Sequence, residues 1–125
     1  MANETFMSFY LKANRLHVFV DALRGIGSPN FIAFMIEENG ETLIMKAYEK
    51  KDFYSHRVPP GVYNGCKSME ISSQRLCDII SGLYDWDRNS SYRIPGVILR
   101  EKGMVLFYLT KAEPIEHDGI TDNQM

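Results

Sequence analysis

A strand-like run leading into a helix-like stripe occurs twice in this chain, about 60 residues apart. Ser8-Phe9-Tyr10-Leu11-Lys12 leads into Asn14-Arg15-Leu16, and Ser68-Met69-Glu70-Ile71-Ser72 leads into Gln74-Arg75-Leu76. The apolar set Leu16, Phe19, Val20, Leu23 falls on Leu76, Ile79, Ile80, Leu83 when moved by 60 positions. Both sets have the i, i+3, i+4, i+7 spacing of one helix face. A hairpin pattern follows each. A strand–helix–hairpin unit used twice narrows the fold to α+β, with duplicated β-α-β-β(-β) units forming one mainly antiparallel sheet and two helices on one face. The first half spans 6–58, a connecting loop 59–66 and the second half 67–112, all within one domain over 1–125.

Local signals fill in this frame. Residues 1–5 are polar and read as frayed, and Phe6 to Lys12 reads as a strand. Asn14 is placed to cap the first helix, because its side chain can accept from free first-turn amides. Gly25 and Gly27 end that helix, and Ser28-Pro29-Asn30 cannot continue it. Phe31 to Glu37 and Thr42 to Tyr48 form a hairpin around Asn39-Gly40, the pair suited to a type I′ turn with positive φ at both positions. Phe53 to Val58 reads as a further strand, and Pro59-Pro60-Gly61 breaks any ladder. In the second half Ser72 or Ser73 caps the helix, and Asp85-Trp86-Asp87-Arg88-Asn89 ends it. Tyr92 to Arg100 and Met104 to Thr110 make the second hairpin, with Pro95-Gly96 predicting a bulge or an edge position. No strand is assigned after Thr110, and 113–125 reads as a disordered polar tail.

With 125 residues, 45% apolar and 24% charged, the chain has the balance of a globular domain that folds without disulfide or metal. A net charge of −2 argues against a uniformly basic nucleic-acid coat and leaves room for a local basic face. Cys66 and Cys77 are the only cysteines, too few for a zinc site. The first residues lack a basic region followed by an apolar core, and no apolar run is long enough to span a bilayer. The expectation is a cytoplasmic protein with reduced thiols, no cofactor, no metal and no membrane partner.

No side-chain constellation points to catalysis, and a non-enzymatic protein is expected. His56, in Asp52-Phe53-Tyr54-Ser55-His56-Arg57, has acid–base neighbours only along its own strand, whereas triads are assembled from distant segments. Cys77 lies beside the helix stripe and reads as a packing residue. The aromatics alternate along strands as sheet core does, and Trp86 reads as a packing anchor. Arg15, Arg24 and Arg75, with Lys12 and Lys67 nearby, are the candidate nucleic-acid contacts, a phosphate strip on the outer faces of two helices packed side by side. Asp21, Asp78 and Asp85 on the same helices give the plainer reading of a mixed solvated face.

The element order, with the stretch Ser68 to Leu83 as its best local likeness, resembles one domain of the DNA sliding clamps. The likeness covers residues 6–112. It implies a DNA-associated accessory protein with a clamp-like fold, duplex DNA as partner, and self-assembly into an oligomer. The alternative is a protein-interaction module that takes a peptide or protein partner at an open sheet edge or in a groove between the halves.

Overall fold

Alternation of apolar and polar residues governs most of this chain. The computed structural model describes residues 3–115. Its strands are β1 (Glu4–Tyr10), β2 (Arg15–Phe19), β3 (Phe31–Ile36), β4 (Thr42–Tyr48), β5 (Ser55–Arg57), β6 (Ser68–Ser72), β7 (Ser91–Leu99), β8 (Met104–Tyr108) and β9 (Glu113–Pro114). The helices are α1 (Val20–Gly25) and α2 (Gln74–Tyr84). All strand pairs are antiparallel and belong to one sheet, in the order β5-β3-β4-β8-β7-β1-β2-β6, with β9 also on β7. Among the described residues no helix is long and apolar enough to cross a membrane.

Cross-strand partners share a face of the sheet, so the registers sort the residues. Phe9 lies opposite Leu16, which lies opposite Ile71. Met45 lies opposite Val105, which lies opposite Ile98. These belong to one continuous inner face, and α1 and α2 bring Ala22, Leu23, Leu76, Cys77 and Ile80 into the same core. Each large side chain fully buried there contributes about 1.5–3 kcal/mol. Both helices therefore cover one face, as expected.

The sequence-based reading of the first half needs correction. Arg15–Phe19 is a strand, and the helix begins only at Val20. Leu16 and Val18 alternate with Arg15 and His17, and pairing on both sides, with β1 and β6, decides in favour of the strand. Asn14 is no helix cap. It takes a left-handed conformation (φ 56°) and closes a 3-10 turn over Leu11–Ala13 between β1 and β2. Glu4 and Thr5 are not frayed, since both lie in β1 and Thr5 is buried. The order strand, helix, three strands does occur twice, from β2 and again from β6, apart from short 3-10 turns.

Smaller expectations also shift. At Asn39-Gly40 only Gly40 has positive φ (73°). Asn39 instead accepts the Glu41 amide on its side chain, and Gly40 N–H donates to the Glu37 carbonyl. Pro95 makes neither a bulge nor an edge strand, because β7 pairs with β1 without interruption from Ser91 to Val97. Ile98 N–H donates to the Asn3 carbonyl, so even residues of β7 face β1 and odd ones face the other flank. On that flank β8 pairs up to Gly96 and β9 resumes at Arg93. The missing donor of Pro95 falls in the gap between them. Glu113–Pro114 forms β9, and Ile115 N–H reaches the Ser91 carbonyl, so the predicted disordered tail does not begin at 113. The rest of that tail lies outside the described residues.

Candidate functional site

The site starts from an aspartate. The Asp52 carboxylate accepts from Tyr48 Oη at 2.7 Å and from the Tyr54 amide at 2.9 Å, while Ser55 Oγ accepts from the Asp52 amide at 2.9 Å. These bonds, the Tyr48 one foremost, hold the Asp52 carboxyl below the usual range and push the Tyr48 phenol up. They also fix the turn between β4 and β5. The turn projects two aromatics into solvent, with Phe53 86% and Tyr54 59% exposed. A large apolar side chain held out by a pinned turn is a feature of interaction surfaces rather than of cores.

Beside this turn the sheet is incomplete. Glu37 N–H donates to the Thr42 carbonyl at 3.0 Å and Val58 N–H to the Asn30 carbonyl at 2.7 Å. The β3–β4 ladder is therefore bonded at odd positions of β3, and even positions face the flank where β5 lies. β5 pairs only with Phe31, Ile32 and Ala33. Phe34 and Ile36 thus aim N–H and C=O past the end of β5, and among the described residues no strand pairs with them there.

A cavity of about 510 Å³ occupies this position, within the size range of ligand sites. Ala33, Phe34, Met35 and His56 come from the first half, and Ser73, Gln74, Arg75 and Leu76 from the start of α2. It is thus a groove between the halves. Ser73 places the α2 residues, because its side chain accepts the Leu76 amide at 3.2 Å and caps the helix. The Arg75 guanidinium carbon stands 5.4 Å from the Tyr54 ring centroid, a cation–π contact. The His56 ring meets Phe34 edge-on at 5.7 Å, and burial pulls its pKa below the ordinary histidine value. Among the described residues no Asp or Glu lines the cavity. Among the described residues no group of three His, Cys, Asp or Glu could hold a metal ion.

The five candidate nucleic-acid contacts do not form one helix-borne strip. Arg15 lies on β2, on the sheet face opposite the helices, in an ion pair with Glu70. Arg24, in α1, donates to the Tyr63 carbonyl at 2.9 Å. Lys12 sits exposed in the 3-10 turn after β1, and Lys67 exposed just before β6. Only Arg75 reaches the groove. Trp86 packs as expected, stacked on Tyr92 at 4.3 Å and edge-on to Phe9 at 5.9 Å. Cys77 is buried, which pushes its thiol up against the opposing pull of Arg88.

The sequence does not single out the groove residues Phe34, Met35, Phe53, Tyr54 and His56 as site residues. The one available signal was the Asp52-x-Tyr54-Ser55 turn chemistry, which marks a fixed turn but says nothing about a missing strand beside it. Compared with known proteins, the chain matches no family model, no curated protein and no solved structure.

Proposed function

We propose that this protein is a non-enzymatic interaction module that receives an extended segment of a protein partner in the groove between its halves. The observation carrying this reading is the open flank of β3 at Phe34 and Ile36, of which Phe34 lines a cavity edged by exposed aromatics. An added strand would complete the ladder that β5 leaves short, with backbone bonds supplying affinity and side-chain pockets supplying selectivity. Phe53 and Tyr54 have the chemistry of interface anchors. The test is selection of displayed random heptapeptides on the whole protein and on a Phe53→Ala/Tyr54→Ala variant. Peptides enriched only on the unaltered protein support the reading, and enrichment indifferent to the double variant rejects it.

A second reading, a clamp-like DNA-associated accessory protein, is favoured by the element order that recurs from β2 and from β6. It calls for salt-sensitive binding of duplex DNA. Reversing the charge of Arg15, Arg24 and Arg75 together should then weaken binding at low salt, and unchanged binding counts against it. The groove reading ranks first because Arg15 and Arg24 already have partners within the fold.

A further inference from the structure

Resting on the groove reading, we infer that the partner segment is acidic: an extended peptide with an apolar anchor opposite Phe34 and a carboxylate side chain set against Arg75. Phe34 lies opposite Met45 and so on the inner face. The residue added opposite Phe34 would project to that same side, next to the His56 ring and Leu76. An apolar side chain suits that position, because His56 is shifted toward its neutral form.

The carboxylate follows from the state of Arg75. Among the described residues it has no carboxylate partner, unlike Arg15 and Arg88. Its guanidinium carbon stands 5.4 Å from the Tyr54 ring centroid in the lining of the groove, and a guanidinium can make paired bonds to a carboxylate. Arg75 is the one Lys or Arg among the residues that line the groove, and among the described residues no Asp or Glu lines it. The Asp52 carboxylate of the adjoining turn is taken up by Tyr48 and Tyr54, whereas Lys51 and Arg57 line a separate cavity and Glu37 and Glu38 stand beyond Ile36. A basic segment would meet like charge at Arg75.

A nucleic acid would also bring anionic groups and could stack on Phe53 and Tyr54. The flank of β3 favours a peptide. Phe34 and Ile36 present carbonyl acceptors beside their amide donors, and a peptide backbone answers both, whereas a phosphate backbone offers only acceptors.

The test extends the peptide selection. Winners that depend on Phe53 and Tyr54 are synthesised, labelled and titrated by fluorescence anisotropy against the unaltered protein, Arg75→Ala and Arg75→Glu. Arg75 lies in the first turn of α2, where an acidic residue suits the helix dipole, and circular dichroism checks that both variants fold. The winners should be rich in Asp and Glu, and Arg75→Glu should weaken them about ten-fold or more, as for an interface hot spot. Replacing their acids with lysine should restore binding to Arg75→Glu. Winners that are neutral or basic, or indifferent to Arg75→Glu, overturn the inference and leave the groove reading standing. Absence of any winner dependent on the two aromatics overturns both. A labelled oligothymidylate that binds at the same aromatics more tightly than any peptide overturns the inference in favour of single-stranded nucleic acid.

Discussion

At Gly96 the inner face of the sheet leaves no room for a side chain. A Cβ there would stand 2.6 Å from the Leu106 carbonyl oxygen and 2.6 Å from the Phe107 ring. The oxygen belongs to a paired strand and cannot move without disturbing the ladder. Gly96→Ala should therefore lower unfolding stability by about 1–3 kcal/mol, the usual scale of overpacking, as read by urea denaturation. An unchanged midpoint would show that β8 yields at little cost. His56 gives a pH signature instead. Burial lowers its folded pKa below the unfolded value of 6.5, so in the window between the two the unfolded chain binds more protons. Stability is then greatest above that window and falls as the pH drops through it. His56→Gln should flatten this part of the stability profile, and an identical slope in the variant would show that other groups carry it. From sequence, His56 could be placed on a strand, but its burial depends on Phe34 and α2, which no local pattern reveals.

At the scale of the element, α2 shows where periodicity informs and where it misleads. The stripe Leu76, Ile79, Ile80, Leu83 correctly marks a helix, but its phase is off. The buried residues are Leu76, Cys77, Ile80 and Ser81, while Ile79 is 39% and Leu83 54% exposed. Cys77 and Ser81 are buried beside Leu76 and Ile80, which turns the inner face one residue away from the stripe. The same spacing misleads outright at Leu16 to Leu23, where apolar residues also alternate and neighbouring strands claim Leu16 and Val18. The hairpin of β3 and β4 is legible because strand propensity and burial agree there, although its turn differs from the type I′ expected, and β6 with α2 is legible because Ser73 caps the helix. Two predictions separate the phases. Ile80→Ala should cost about 2–5 kcal/mol, whereas Leu83→Gln should stay within about 0.5 kcal/mol. Equal losses from the two in thermal or chemical unfolding would contradict the observed face. Ser73→Ala should cost about 1 kcal/mol through loss of the N-cap and loosen the α2 end of the groove.

Across the whole molecule, the groove exists because of how far each strand runs. The Asp52 turn ends β5's approach early, so the terminal strand covers half of β3 and leaves the other half facing the start of α2. No local sequence pattern encodes this, since it depends on which strand ends the sheet and on where the second half begins its helix. It has a residue-resolved consequence in the free protein. Ala33 and Met35 point their amides toward β4, within the ladder, whereas Phe34 and Ile36 point theirs to the vacant flank. Hydrogen exchange followed by NMR should therefore alternate along β3, slow at Ala33 and Met35 and fast at Phe34 and Ile36, because an unbonded amide exchanges without an opening step. Ile32, which faces the same flank but pairs with His56, is the internal control and should be slow. Protection at Phe34 and Ile36 equal to that of Ile32 would mean that the flank is already occupied in solution, and the groove would be closed to a partner strand. Alternation that disappears on adding a selected peptide would locate the added strand at those two residues and at no other edge of the sheet.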